Sequence, residues 1–242
     1  MAWMTHGVVW ADRDVPEGLC PHHRVCHGRL AAVLTLAEDG ALPDALNVAE
    51  IDGGLAASIR RHDAVLSAYA ATQDVLPFRF GVCVEEPADA KRLLEQSEDA
   101  LTVALSELAG RKEYSVRVIV VPTERDDDPA ASGGAAGYLG ARLALRRTQD
   151  AARERAARFI ALLQETLTAI SLIKPLAALS GSPRRIAGWS CLMREKDFGQ
   201  IAGPLDALRE EAAQLGLAIR VTGPHAPFAF AAMPDMGQEG AR

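Results

Sequence analysis

Residues 113–121 read EYSVRVIVV, and this stretch decides the fold of the second half of the chain. Tyr114, Val116 and Val118 alternate with Ser115 and Arg117 before the run becomes continuously apolar, which is the pattern of a β-strand. The next segment, residues 122–134, is acidic, rich in turn-forming residues and without periodicity. It therefore predicts a flexible loop.

Downstream of this loop, the apolar spacing predicts a long helix from about residue 137 to residue 170, which Pro175 ends, with an extended segment at 172–174 as an option. Strands are predicted at 186–193 and 217–221, separated by a helix over 197–215. Pro204 either kinks that helix or marks the first turn of a shorter one. The order of elements predicts a split βαβ, ferredoxin-like plan with a helical insertion in its first crossover.

Upstream, strands are predicted at 7–11, 30–36 and 75–84, and helices at 55–69 and 87–110. Pro77 has no backbone donor and must lie at a strand start, an edge or a bulge. The fold class is therefore α+β with two domains, an N-terminal domain over 1–111 and a C-terminal domain over 112–242. The loop at 122–134 is a rival boundary, and residues 233–242 have the composition of a frayed tail.

The charge and hydropathy of the chain disfavour several classes of protein. The net charge of −6 at pH 7 would repel nucleic acid and an anionic membrane surface. No window approaches the roughly 20 apolar residues that span a bilayer, and the N-terminus lacks the features of a secretion signal. We therefore expect a cytoplasmic protein with no lipid-membrane partner, in which the four cysteines are reduced thiols.

Residues 20–27 place two thiols and three imidazoles within eight positions. All five side chains are possible zinc ligands: Cys20, His22, His23, Cys26 and His27. Structural zinc sites bring ligand pairs from two knuckles, and no second Cys/His pair lies at such a distance. The segment therefore favours a polar loop between strands, with a metal site as the alternative.

A glycine-rich segment at 133–140 precedes a helix with Arg142, Arg146 and Arg147. Backbone donors at a helix N-terminus attract phosphate, but the glycines do not follow a strand directly and no P-loop lysine is present. A flexible hinge is the other interpretation. The wider basic face, which also includes Arg153, Arg155 and Arg158, suits an acidic partner, RNA or solvent, although no aromatic residue after Tyr138 provides a base-stacking surface.

His62 falls on the apolar stripe of its helix, where a core or interface histidine is more common than a general base. The sequence contains no Gly-x-Ser-x-Gly elbow, His-Glu-x-x-His helix or other nucleophile signature. Asp126, Asp127 and Asp128 lack the spacing and the glycine of a calcium loop. We therefore predict no enzyme activity, no catalytic or cofactor-binding residue and no cofactor.

Three separated segments resemble the gas vesicle protein F/L (GvpF/GvpL) family. They are VLPFRFG at 75–81, the GYL helix start at 137–139, and TGPHAPFAF at 222–230. Their order and spacing are similar to those of the family, and the resemblance extends over nearly the whole chain. At residues 225–228 the chain has HAPF where the family tends to have Trp-Pro-Pro-Tyr.

The resemblance implies two α+β domains, of which the C-terminal one is a modified ferredoxin-like fold. It also implies an accessory or minor structural protein of gas vesicle formation that binds the hydrophobic shell protein GvpA, together with other gas vesicle accessory proteins. Family members are associated with the gas-facing side of the vesicle. The matching segments are interpreted as joints of the fold, so the partner-binding residues stay unassigned, as does F-type or L-type membership.

A phosphate- or nucleotide-binding protein, or an enzyme, that uses residues 133–140 and the adjacent arginines is the alternative function. An assembly chaperone and a retained vesicle component are not separated by the sequence, and neither is the oligomeric state.

Overall fold

The computed structural model describes residues 2–37, 53–122, 135–176 and 184–232. Within these ranges the chain forms nine strands and five helices, arranged as an α+β protein with two antiparallel sheets. The contacts divide it into two compact units. Unit 1 comprises the residues up to Glu113 and the segment that begins at Gly223, and unit 2 comprises Tyr114–Thr222.

The sheet of unit 1 has five strands: β1 Trp3–Trp10, β2 His23–His27, β3 Leu30–Leu36, β4 Val75–Pro77 and β5 Cys83–Val84. They lie in the order β2-β3-β1-β4, with β5 also paired to β1. In β1 the partners change register between Thr5 and Gly7, so His6 is the extra residue of a β-bulge. A Cβ atom on Gly7 would lie 2.5 Å from the Leu76 carbonyl oxygen, so the close approach of β4 at this position requires glycine.

Three helices accompany this sheet: α1 Gly53–Thr72, α2 Pro87–Gln96 and α3 Glu98–Glu107. The core joins the inner face of α1, including Val65, Leu66 and Tyr69, to the sheet. Ala226, far along the chain, is buried in the same cluster. The segment after Gly223, which the predicted boundary assigns to the second domain, therefore packs into unit 1.

Unit 2 holds a four-stranded sheet and two helices. Its elements are β6 Arg111–Val120, α4 Ala135–Thr168, β7 Leu172–Pro175, β8 Arg185–Arg194, α5 Glu195–Gln214 and β9 Leu217–His225. The strands lie in the order β7-β8-β6-β9. Phe159, Leu163 and Leu167 of α4 enter one apolar cluster with strand and α5 residues. The strands β6 and β9 each contain residues that are assigned to both units. A boundary between independently folding domains at 111–112 therefore stays a prediction.

The strands and helices with the strongest periodicity are confirmed. The buried strand at 30–36, the helix around 55–69, the strand at 113–121, the long helix and the extended segment at 172–174 all form. The predicted loop at 122–134 and the tail at 233–242 lie almost wholly or wholly outside the described residues.

Several predictions about elements were wrong. Residues 23–27 form the edge strand β2, whereas a polar loop was predicted, because pairing with β3 requires only backbone groups. The strand at 75–84 is two short strands, and the helix at 87–110 is two helices with Ser97 between them at φ −122°.

The helix α5 continues through Pro204. Buried Ile201 lies before the proline and buried Leu205 and Leu208 lie after it. Burying each of these side chains stabilises by about 1.5–3 kcal/mol, which together offsets the ~3 kcal/mol cost of an interior proline.

Candidate functional site

The candidate site of unit 1 is built around two buried histidines. His6 occupies the bulge of β1 and His62 lies on the inner face of α1, and their side chains are 0% and 3% exposed. The two Nδ1 atoms are 2.9 Å apart. His6 Nε2 lies 2.9 Å from the Thr35 hydroxyl, and His62 Nε2 lies 3.2 Å from the Phe78 carbonyl oxygen. The bulge thus directs the His6 side chain into the core of unit 1.

These distances fix the direction of every hydrogen bond when both rings are neutral. The Phe78 carbonyl only accepts, so His62 Nε2 carries a hydrogen and His62 Nδ1 is an acceptor. His6 Nδ1 must then donate to it, which makes His6 Nε2 the acceptor of the Thr35 hydroxyl hydrogen. Thr35, His6, His62 and the Phe78 carbonyl therefore form one satisfied chain, called here the histidine chain.

The environment holds both rings in the neutral form. Burial, followed by the neighbouring His62, His22 and Arg61, lowers the pKa of His6 to about 3. Burial also lowers the pKa of His62, against the opposing effects of the Phe78 carbonyl and the Asp63 carboxylate. Since a charged imidazole is disfavoured in both places, the histidine chain is neutral at neutral pH.

An apolar hollow of about 450 Å³ opens beside His62. Its walls are formed by Ile59, Arg60, His62, Asp63, Arg79, Phe80 and Phe228, which we call the His62 hollow. The Phe80 ring meets the His62 ring edge to face, with centroids 5.6 Å apart, and the Phe228 ring lies 6.0 Å away at a tilt of 39°. Both His62 nitrogens are used by the histidine chain, so this ring offers the hollow no free nitrogen.

The hollow depends on two chain segments that are distant in sequence. Phe80 follows β4 and precedes Gly81, whose φ of +94° favours glycine where the chain turns. Phe228 is held by its neighbours: buried Ala226 on one side, and on the other the Ala229 N–H, which donates to the Glu113 carboxylate at 2.8 Å. Phe228 itself stays 39% exposed. The two resembling segments at 75–81 and 222–230 therefore meet at one site.

Sequence reasoning placed His62 correctly on an inner face but missed His6. The sequence does contain one signal of a buried polar cluster. Thr35 interrupts the apolar strand at 30–36, and His62 interrupts the apolar stripe of a helix. A buried polar side chain needs a partner, and His6 is the residue that supplies it. The β-bulge selects His6 as this partner, and a bulge is set by the pairing of two strands, which the local sequence does not show.

The structure does not gather the possible metal ligands at 20–27. His22 Nδ1 donates to the Cys20 carbonyl oxygen at 3.0 Å, and His22 Nε2 accepts from the Tyr69 hydroxyl at 2.9 Å. His27 lies between the carboxylates of Glu95 and Glu98, at 3.4 and 3.3 Å. Within the described ranges, no group of three or more His, Cys, Asp or Glu side chains could hold a metal ion.

The alternative anion site at 133–140 lies partly beyond the described part of the chain. Residues 133 and 134 fall outside it, and of residues 135–139 only the backbone, as the start of α4, is described. Arg142, Arg146 and Arg147 are exposed on α4. None of the described helices is long and apolar enough to cross a membrane.

Comparison with known proteins gives matches over nearly the full length of the chain. The family model described as gas vesicle synthesis protein GvpL/GvpF matches residues 12–232. Gas vesicle protein L of Streptomyces sp. (strain CB03234) is 30% identical over 243 residues, covering 93% of this chain and 90% of that protein.

Two solved structures share the fold. The crystal structure of gas vesicle protein GvpF from Anabaena sp. PCC7120 matches with a TM-score of 0.66 at 16% identity, over 96% of this chain and 97% of that one. GvpF from Microcystis aeruginosa matches with a TM-score of 0.62 at 17% identity, over 96% and 99%. At these identities the similarity concerns the fold.

Proposed function

The chain belongs to the gas vesicle synthesis protein GvpL/GvpF family, and on this premise we propose that it is an accessory protein of gas vesicle formation that binds the hydrophobic shell protein GvpA. In this role it assists nucleation or assembly of the shell. Its partners are gas vesicle proteins and its activity is non-enzymatic.

The observation that carries this proposal is the His62 hollow. It has a volume within the range of ligand sites in proteins, and two phenylalanine rings line it. Because the His62 nitrogens are already hydrogen-bonded within the protein, a polar ligand would have only the charged side chains of Arg60, Asp63 and Arg79 as partners and would otherwise lose its own hydration. An apolar side chain loses nothing in this way, which suits a hydrophobic shell subunit before it polymerises.

Strand addition at a sheet edge is the second route by which such a subunit could bind. The edge strand β7 carries Leu172, which is 56% exposed. It spans only four residues and ends at Pro175, which lacks a backbone donor. The hollow is therefore the preferred contact for the shell protein.

For unit 2 we propose a ferredoxin-like classification. The strand order β7-β8-β6-β9, with α4 after β6 and α5 after β8, supports a split βαβ plan. We also propose that the protein occurs in the cytoplasm and on the gas-facing side of the vesicle shell. Immunolabelling of purified vesicles before and after collapse tests this location, and label on intact outer surfaces alone would contradict it.

The binding proposal is tested by coexpression with the shell protein, pull-down and light scattering. The wild-type chain is expected to retain the shell protein and to suppress its aggregation. Phe228→Glu places a charge in the hollow and should abolish both effects, whereas Val103→Glu, at a 58% exposed position of α3, should leave both unchanged.

Circular dichroism and thermal unfolding establish that both variants are folded. No retention by the wild-type chain would contradict shell-protein binding. Equal retention by the Phe228→Glu and wild-type chains would contradict the hollow as the contact and would favour the sheet edge.

A further inference from the structure

The His62 hollow has an apolar floor and a charged mouth. Its floor is formed by buried His62 together with half-buried Ile59 and Phe80. Three further lining residues are exposed and charged: Arg60, Asp63 and Arg79. Long side chains such as arginine cover an apolar surface with their aliphatic stems and keep the charge in water. The charged groups of these three residues therefore lie at the opening of the hollow, which we call the charged mouth.

The two arginines of the charged mouth differ from other arginines of the chain in their partners. Four arginines on helices pair with an acidic residue three or four positions away on the same helix: Arg92, Arg153, Arg158 and Arg209. Within the described ranges, Arg60 and Arg79 form no ion pair, although Asp63 follows Arg60 by three positions on α1. Both guanidinium groups are therefore available to a carboxylate of another molecule.

These two arginines come from different walls of the hollow. Arg60 belongs to the α1 wall, whereas Arg79 belongs to the turn that follows β4. The third wall, Phe228, comes from the segment after Gly223, and all three walls are parts of unit 1. An apolar side chain that enters the hollow therefore has a positive charge on each of two walls.

We propose that the segment of the shell protein that enters the His62 hollow carries a large apolar side chain with a carboxylate side chain on each side of it in the sequence. This inference rests on the proposed function. The apolar side chain packs against Phe80 and Phe228, and the carboxylates accept hydrogen bonds from Arg60 and Arg79. The C-terminus of a chain offers a single carboxylate, which leaves one of the two guanidinium groups without a partner.

The charges of the mouth also predict an order among its residues. Asp63 lies on the same helix as Arg60 and repels an incoming carboxylate, so attraction at the α1 wall is weaker than at Arg79. A basic segment would meet two like charges at the mouth. Since the net charge of the chain is −6, the attraction is a local property of the mouth and not of the whole molecule.

The experiment titrates the full-length protein with synthetic peptides at low salt and follows the backbone amides by NMR. The probe peptide has one leucine between two glutamates in a glycine and serine sequence with blocked ends. It should bind and shift the amide signals of Phe80 and Phe228. Control peptides with glutamine or lysine for glutamate, or alanine for leucine, should bind at least about threefold more weakly. Absence of binding by the probe peptide overturns the proposal.

A fourth control peptide lacks glutamate and ends in leucine with a free carboxylate. It should also bind more weakly than the probe peptide, because it offers one carboxylate to two arginines. Tighter binding of this peptide would overturn the choice of side-chain carboxylates in favour of a chain terminus.

Matched variants locate the charges that matter. Arg79→Glu should weaken binding of the probe peptide about tenfold and Arg60→Glu about threefold. Arg13→Glu makes the same change of charge at an exposed position outside the hollow and should change binding less than about twofold. Asp63→Asn should tighten binding about twofold, because it removes the negative charge of the mouth, whereas Asp12→Asn at another exposed position should not. High salt should reduce all these differences.

Circular dichroism establishes that all variants are folded. Equal weakening by Arg79→Glu and Arg13→Glu would overturn the proposal by showing only a general attraction of charges. Equal binding of the glutamate and glutamine peptides would overturn it by showing that the apolar side chain suffices. Self-association that the probe peptide abolishes would overturn it in favour of a second copy of this chain.

Retention of the shell protein separates this inference from the proposed function. If the wild-type chain retains the shell protein and Arg79→Glu and Arg60→Glu retain it equally well, the acidic segment is contradicted while shell-protein binding stands. If the wild-type chain does not retain the shell protein, the proposed function fails, and this inference fails with it.

Discussion

Unit 1 buries a hydrogen-bonded chain of polar side chains, while unit 2 is held by an apolar cluster around α4 and α5. Among the described residues of unit 2, the buried polar side chains are the hydroxyl-bearing Ser115 and Ser190. Unit 1 buries two imidazoles. Apolar packing depends little on pH, whereas a neutral histidine chain does, so the two units should respond differently to acid.

The largest expected effect comes from a cavity in unit 2. Leu163 is fully buried in the α4 cluster, so Leu163→Ala should lower the free energy of unfolding by about 2–5 kcal/mol. Denaturant unfolding should show a similar decrease in the free energy of unfolding at pH 7 and at pH 5. A decrease that is present at only one of these pH values would contradict a purely apolar core.

Acidification should destabilise unit 1 selectively. The folded pKa of His6, about 3, lies below its unfolded value of 6.5, so the unfolded state binds the proton first. The stabilisation is present above about pH 6.5 and is lost as the pH falls toward 3, which amounts to about 2 kcal/mol between pH 6.5 and pH 5 for one histidine.

Hydrogen exchange measured by mass spectrometry, corrected for the intrinsic rates, resolves this loss by segment. As the pH is lowered, the protection of backbone amides in β1 and β3 from exchange should decrease, while the protection of amides in β6 and β8 should persist. Equal losses in the two sheets would contradict the difference between the units.

Thr35→Val should cost roughly 1–2 kcal/mol, because it removes the hydroxyl that donates to His6 and leaves a buried ring nitrogen unpaired. Thr5→Val is the matched control. Thr5 is equally buried in the same sheet, and its hydroxyl oxygen has no hydrogen-bond partner in the described structure. Urea unfolding should show a lower free energy of unfolding for Thr35→Val only. An equal decrease in both variants would argue against the histidine chain.

The smallest effect is expected in the exposed first half of α4. Leu145→Ala should change the free energy of unfolding by less than about 0.5 kcal/mol, because Leu145 lies outside the core. Thermal unfolding of Leu145→Ala and Leu163→Ala compares two leucines of the same helix and shows where along α4 the core ends. A loss near that of Leu163→Ala would mean that something covers Leu145.

The helices and strands that the sequence predicted well have a strong apolar period. The strand at 30–36 and the helices α1 and α4 carry apolar side chains at most of the positions that they bury, with Thr35 and His62 as polar exceptions. The edge strand β2 has no such pattern, since its residues are mostly polar and partly exposed. It forms because β3 offers unpaired backbone groups beside it, which no local pattern records.

The amino-acid sequence alone determined the α+β class, the long helix, and the family through the segments at 75–81, 137–139 and 222–230. Tertiary structure alone decided that two of these segments meet at His62, and that His6 enters the core. The physical reason is that apolar period is local, whereas the bulge at His6 and the return of Ala226 into unit 1 are set by pairing and packing between residues far apart in the chain.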